Sequence, residues 1–496
     1  MLDSISTLFG ELDNHHVRWV HWKSNQRLDD VLRGETDIDL LVDRRHVGGF
    51  ESVLAALKFR RGTRPTWEEE PSIFHFFGLD AATGRFVHVH AYYRIFSGGA
   101  LLKNFHLPVE ELLLANSRRS DGVPIPTAAA DCVVLVLRKL LEHTTLCEFA
   151  LVRRELAAVR EELRWLLDDC DEASCVALAS DTLPAVEPEL FRESLHALLG
   201  PSSVLRRVHL GMLLRRRIAS SARHGAVVAR AIAYSRFGRK LIRRLRGARS
   251  KQRLANGGSV VAVVGPEATG KSTLGKALGE WLGEHFRVRS VHAGKPPHGW
   301  LTILPGVLLP ALRRALPRFR SGDVETDLEA RSAASNPRSV RGLRLRVFVA
   351  RSVMLAVDRA RLLVRAHREA SNGTIVLCDR YPTATVGAMD SPQVREDTLP
   401  ASRLSLCRFL GRKEAELYQR LPRADIILQL GIDVDRAVER NASRVKKGNE
   451  GEAYVRRRHA QARDLTYECA NLVRIDTDRP FEETLREAQR AIWNAL

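Results

Sequence analysis

No CxxC pair occurs in this chain of 496 residues, and its seven cysteines (Cys132, Cys147, Cys170, Cys175, Cys378, Cys407 and Cys469) are scattered and odd in number. That pattern argues against a disulfide framework or a zinc site and points to reduced, mostly buried thiols. Also missing is any uninterrupted apolar run of about 18 residues, the length a membrane-crossing helix needs. The opening MLDSISTLFGELDNHH places acids where a secretory signal carries a positive start. A cytoplasmic protein is therefore expected. Acidic residues are absent between Arg206 and Arg253, a stretch holding sixteen lysines and arginines. Elsewhere 62 basic residues face 59 acidic ones, so this one segment carries most of the formal net charge of +19. Attraction to an anionic surface should be local to it, which keeps the expected location cytoplasmic with a membrane-peripheral one as the alternative.

The residues that are present, 45% hydrophobic and 28% charged, describe a folded globular chain. Its length exceeds what one core organises, so two or three domains are expected. VRWVHW, DIDLLV and FVHVHAYY read as strands of a small mixed sheet behind a polar first helix. From about Pro108 to Leu199 the apolar spacing turns helical, as in CVVLVLRKLLEH. In the basic segment Tyr234, Phe237, Leu241 and Leu245 recur at i, i+3, i+7 and i+11 between arginines, one apolar stripe on a cationic helix. Such a helix suits an anionic membrane surface, or else serves as a solvated connector. Nucleic acid is the less favoured partner, because no RNA-binding signature accompanies the charge. After Ser259 strand and helix alternate, which predicts a parallel sheet between helices.

The sharpest signal is Gly265-x4-Gly270-Lys271-Ser272 in VVAVVGPEATGKSTL, directly after an apolar strand and before a helical pattern. A phosphate-binding loop requires that context. Gly265 and Gly270 let the backbone curl so that its N–H groups point inward, and the helix N-terminus adds partial positive charge. Lys271 would reach the β- and γ-phosphates of ATP, Ser272 would ligate Mg²⁺, and Thr273 completes the nucleotide-binding loop.

Three segments in order, GPEATGKST, AVDRARLLVRAHREASNGTIVLCDRY and LQLGIDVDRAVERNASR, make the region Ser259–Leu496 resemble the thymidylate kinase family of P-loop kinases. The resemblance implies an ATP- and Mg²⁺-dependent kinase. It makes Asp379 a metal-shell residue, Arg380 the clamp on the acceptor phosphate, and Arg440 and Arg444 lid arginines over the donor phosphates. It also makes Glu267 a sugar-contacting acid, and Lys295 and Arg359 substrate-binding residues. Asp476 to Pro480 resembles the loop beside the donor base. Two departures bear on the acceptor: Leu355 stands where some members stack an aromatic on the base, and PTATVGAMD follows DRY. The insert from about Pro296 to Ser339 is basic and proline-bearing.

At the front of the chain, HWKSN followed by Asp37-Ile38-Asp39 resembles the nucleotidyltransferase superfamily, which sets two carboxylates on one strand face to hold a metal. Here Lys23 replaces that family's glycine, and His88 and His90 stand where a third carboxylate is expected.

The expected architecture is α/β, a P-loop kinase domain with a parallel sheet between helices plus a smaller α+β domain. The divisions are a nucleotidyltransferase-like domain over 1–107, a helical bundle over 108–199, a basic connector over 200–257 and the kinase domain over 258–496. The expected reaction moves the ATP γ-phosphate to a phosphorylated small molecule, with a nucleoside monophosphate such as dTMP first. A sugar or surface-polysaccharide precursor is the alternative acceptor, and a nucleotide-gated binding protein for membrane or nucleic acid the alternative class. Self-association stays open.

Overall fold

The structure, a computed structural model, describes residues 1–99, 101–142, 146–247, 251–297, 340–394, 405–443, 451–463 and 465–496. Its contacts divide the chain into two compact units, Met1–Ala255 and Asn256–Leu496.

The N-terminal unit is α+β. Its strands are β1 (Trp19–His21), β2 (Ile38–Val42), β3 (Arg60–Thr63), β4 (Ile73–Leu79), β5 (Phe86–Tyr92), β6 (Ile95–Gly99), β7 (Leu102–Leu107), β8 (Ser117–Ser120), β9 (Val123–Pro126) and β10 (Arg253–Leu254). Six of them form one sheet in the order β1-β2-β5-β4-β3-β10, while β6/β7 and β8/β9 pair as separate ribbons. Within that sheet only β2 and β5 run parallel. Side chains alternate across the strands. Ile38, Leu40, Val42, Val87, Val89 and Ala91 pack on helices Asp3–Asn14 and Val47–Ala56, through Ile5, Leu8, Phe50 and Val53. The opposite face sends Leu41 and Tyr92 into a second cluster with Trp22, built around the helix Ala128–Glu142. That helix is apolar on nearly every side, with Val133, Val134, Val136, Leu140 and Leu141 fully buried, as expected of a central helix ringed by others. The segments 1–107, 108–199 and the basic stretch up to Ala255 therefore lie in one compact unit.

The C-terminal unit is a parallel sheet flanked by helices, compatible with a P-loop-like fold. Its strands β11 (Val260–Val264), β12 (Val288–His292), β13 (Ile375–Asp379), β14 (Ala424–Gly431) and β15 (Cys469–Asp476) lie in the order β12-β13-β11-β14-β15, all parallel. Every residue of β11 is buried, which accounts for its unbroken apolar run. Leu274, Leu278 and Leu282 recur every fourth residue along helix Lys271–His285 and are its buried face. From β11 the chain moves to one side of the sheet for β12 and β13, and to the other for β14 and β15. The carboxyl end of β11 is thus a topological switch point, where parallel sheets open a crevice for ligands.

Candidate functional site

At that switch point the glycines have geometric work. Gly265 adopts φ +152, and a Cβ there would lie 2.7 Å from the Leu430 carbonyl oxygen. Gly270, at φ +84, starts helix Lys271–His285 with no side-chain cap. The first amides of a helix have no partner within it, so this end favours an anion. Between the glycines Ala268 is held at φ +64 and packs against Ala437 and Val455. The Lys271 ammonium donates to the Pro266 carbonyl at 2.5 Å, and the Thr269 hydroxyl donates to the same oxygen at 3.0 Å.

A cleft of about 220 Å³ opens beside this loop, lined by Glu267, Gly270, Lys271, Ser272, Thr273, His292, Lys295, Asp379 and Arg380. Parallel pairing sets His292 beside Asp379 at the ends of β12 and β13. His292 Nδ1 accepts from the Gly294 and Lys295 amides at 3.1 and 3.3 Å, which leaves Nε2 to carry the proton, 3.7 Å from Asp379 Oδ2. Arg380 sits at φ +71, its amide donating to the Val263 carbonyl at 3.0 Å. Its guanidinium spans Glu267 Oε1 at 3.4 Å and Asp390 Oδ2 at 3.5 Å. Asp390 is also left-handed, at φ +65. Such conformations cost on the order of 1–3 kcal/mol each for residues with a side chain, and surrounding structure must hold them.

Two arginines lie elsewhere than the resemblance implies. Arg359 is 1% exposed and does not line the cleft. It donates to the Ala293 carbonyl at 2.8 Å, to Asp390 Oδ1 at 3.2 Å, to the Gly294 carbonyl at 3.5 Å, and to the Tyr418 hydroxyl. With its donors committed, it braces the loop after β12 and the Asp390 turn rather than meeting a substrate. Arg440, on the helix Val434–Ala442, is exposed and donates to the Thr477 carbonyl at 2.9 Å, anchoring the 476–480 loop outside the cleft. Arg444 lies outside the described residues, as does the insert beyond Pro297. From the helix Glu452–Arg463, His459 donates through Nε2 to the Glu267 carbonyl at 2.9 Å. Arg458 of that helix lines a smaller recess of about 50 Å³ with Gly265, Arg380, Tyr381, Asp390 and Tyr467. His292 and His459 have no assigned place in the sequence motifs, Asp390 ends the departing stretch PTATVGAMD, and Arg458 reads in sequence as one of three surface arginines. His292 left a local signal by closing a strand three residues before Lys295.

In the N-terminal unit Asp37 and Asp39 point to one face, but neither is presented bare. Lys23 reaches Asp39 Oδ1 at 3.2 Å and also donates to the Tyr92 hydroxyl. Burial lowers Lys23 to about 8 despite Asp39. Burial alone would raise the Asp39 carboxyl, but the Lys23 and His90 contacts overrule it and hold the group well below the usual carboxylate range. Asp37 Oδ1 accepts from His88 Nδ1 at 2.8 Å, and Asp39 Oδ1 from His90 Nδ1 at 3.3 Å. The oxygen-rich Mg²⁺ site implied at Asp37 and Asp39 does not fit, because a half-buried ammonium already neutralises one carboxylate and imidazoles occupy both. Behind them His21 bonds Asn25 at 2.7 Å, and Asn25 donates to Asp131 at 2.9 Å. Burial, opposed by Asn25, pushes Asp131 up to about 7.

The basic helix spans Ala226–Leu245 with no buried residue. Arg239 and Arg243 lie over the Trp67 ring, Arg243 pairs with Glu68, and Arg236 donates to the Leu101 carbonyl at 3.3 Å. At 100° per residue, Tyr234, Phe237, Leu241 and Leu245 fall on the opposite side. They are 71%, 52%, 47% and 79% exposed. The arginines hold the unit while the apolar stripe faces outward. Among the described residues no helix is long and apolar enough to cross a membrane.

No protein-family model matches the chain. It is 27% identical over 239 residues to the uncharacterized ATP-binding protein YghR of Escherichia coli (strain K12), covering 47% of this chain and 86% of that protein. It is 25% identical over 244 residues to the uncharacterized ATP-binding protein YghS of the same strain, covering 48% and 93%.

Proposed function

We propose that the C-terminal unit binds ATP and transfers its γ-phosphoryl group to a phosphorylated small molecule, with a nucleoside monophosphate as the first candidate acceptor. One observation carries the reading: Lys271, Ser272, Lys295, Asp379 and Arg380, drawn from three strand ends, line a single cleft at the switch point. The names of YghR and YghS support the nucleotide half. The loop amides and the Lys271 ammonium would neutralise the polyphosphate, and glycine at 265, where a Cβ would strike the Leu430 carbonyl, lets the loop take its curled path against β14. The Ser272 hydroxyl and Asp379 carboxylate are the oxygen donors that would hold Mg²⁺, which when bound spreads the charge developing on the transferred group. Arg380, fixed between Glu267 and Asp390, presents a planar donor fork to the acceptor phosphate in a preset direction.

The test is full-length protein with labelled ATP and a panel of nucleoside and sugar monophosphates. Label on a nucleoside monophosphate supports the reading, and label on a sugar phosphate moves the acceptor to that class. ATP loss as hydrolysis alone, with no acceptor labelled, overturns the kinase in favour of a nucleotide-gated binder. Arg380→Ala should lower kcat/KM for the acceptor by roughly 10- to 100-fold, the worth of charge-assisted hydrogen bonds, with ATP affinity nearly unchanged. An unchanged acceptor constant removes Arg380 from the site.

A partner follows from the outward stripe. Arg230 and Arg244 fall beside Tyr234, Phe237 and Leu241, a pattern that favours the surface of an anionic bilayer with the helix lying in the interface. Sedimentation with phosphatidylserine-containing vesicles should pull down the full chain, less so as salt rises. Phe237→Asp with Leu241→Asp should weaken this at least 10-fold, since each apolar side chain contributes about 1.5–3 kcal/mol when buried. Equal binding by the double variant and wild type would refute membrane docking.

A further inference from the structure

We infer that His75, His88 and His90 form a binding site for one divalent transition metal of the zinc class, on the sheet of the N-terminal unit. Antiparallel pairing of β4 with β5 sets His75 directly across from His90. Alternation puts His88 on the same face as His90. One nitrogen from each ring lies within 4.8 Å of the other two.

The hydrogen bonds decide which nitrogens are ligands. A carboxylate only accepts, so His88 Nδ1 donates to Asp37 Oδ1 at 2.8 Å and His90 Nδ1 donates to Asp39 Oδ1 at 3.3 Å. Both rings, when neutral, then carry their lone pair on Nε2. His90 Nε2 is buried with no hydrogen-bond partner; Asp37 Oδ2 stands 3.6 Å away, past bonding distance. A buried lone pair without a donor calls for an explanation, and a cation between the rings supplies one. Without metal, His88 Nε2 accepts a hydrogen bond from His75 Nδ1 at 3.1 Å, and metal binding would displace that one shared proton. Two nitrogens on a tetrahedral ion with bonds of 2.0–2.1 Å stand about 3.3 Å apart, so this pair is already near ligand spacing.

Asp37 and Asp39 then act behind the ligands. Each orients an imidazole and raises its basicity, the usual carboxylate–histidine–metal relay. Phe77, stacked on His88 with ring centroids 4.1 Å apart and planes at 10°, fixes the ring further. Three imidazoles suit zinc-class ions, whereas Mg²⁺ takes oxygen donors. Three protein ligands leave a fourth position, the pattern of sites that keep water or a substrate on the metal. His75 also lines a cleft of about 330 Å³ edged by Arg61, Arg64, Arg223 and Arg236 and by Glu69 and Glu70.

The test uses the tag-free full-length chain, stripped with a chelator and titrated with Zn²⁺ or Co²⁺ alone. Expected are one tightly held equivalent and, with Co²⁺, the intense visible absorption of a four-coordinate nitrogen site. His90→Gln should lose both, His75→Gln should lose both independently, and Asp37→Asn should weaken binding by about 10- to 100-fold. Circular dichroism and the denaturant midpoint of metal-free variants separate ligand loss from misfolding. Failure of wild type to hold Zn²⁺, only weak six-coordinate cobalt bands, or full binding by folded His90→Gln would each overturn the site. Because the readout involves no nucleotide, its outcome is separate from that of the kinase reading.

Discussion

In the proposed phosphoryl transfer, replacing Lys271 with alanine is expected to reduce the rate by about 10²- to 10³-fold, the usual consequence of deleting one preorganised group that meets developing charge. Its ammonium is the only side-chain cation contributed by the loop itself, at the start of the helix whose amides open on the cleft. The effect should fall mainly on kcat, because the amides of the loop remain to hold the nucleotide. Lys276→Ala tests the alternative of a general electrostatic loss. Lys276 lies one turn further along the same helix, 79% exposed and paired only loosely with Glu280 at 3.8 Å, and its removal should leave the rate unchanged. Steady-state assays on both variants decide the matter. Equal rates in Lys271→Ala and wild type would remove the loop from the chemistry.

Arg359→Ala should destabilise the C-terminal unit by about 3–5 kcal/mol, the range for removing one member of a buried ion pair. The guanidinium is almost wholly enclosed, and its loss leaves Asp390 Oδ1 and the Ala293 carbonyl without their donor. Asp390 also positions Arg380, so the damage should spread to acceptor use at temperatures where the variant is still folded. Denaturant unfolding with a probe in the C-terminal unit measures the first effect and acceptor KM the second. A change within about 0.5 kcal/mol, as for a surface substitution, would contradict the bracing role.

These two residues differ in how they could be read. Lys271 is legible because a phosphate loop is a local device. Seven consecutive residues specify the positive φ values, the helix start and the charge, and Gly265, Gly270 and Lys271 need no distant partner to announce themselves. Strand and helix alternation after Ser259 is equally local, and so is the stripe Tyr234, Phe237, Leu241 and Leu245. Arg359 is singled out in sequence only through the resemblance, which implies substrate contact, and nothing local to it announces a brace. Its burial against Ala293 and Asp390, on loops 66 and 31 residues away, exists only once β12 and β13 are side by side.

The same division runs through the front of the molecule. Asp37 with Asp39, and His88 with His90, can be assigned to shared strand faces from alternation alone. That His75 completes a cluster, and that Lys23 lies on Asp39, depends on the antiparallel register of β4 on β5 and on the turn after β1. The lid role the resemblance implies for Arg440 has no counterpart among the described residues beyond its contact with the Thr477 carbonyl, which also depends on tertiary structure. By itself, the sequence determined the curled glycine loop ahead of a helix, the alternation that makes a parallel sheet, and the one cationic segment, because periodicity, glycine conformation and charge act within a few residues along the chain. Tertiary structure alone decided which cations line the cleft, which arginine is a brace, and which histidines converge, because those depend on strand order and register between segments far apart in sequence.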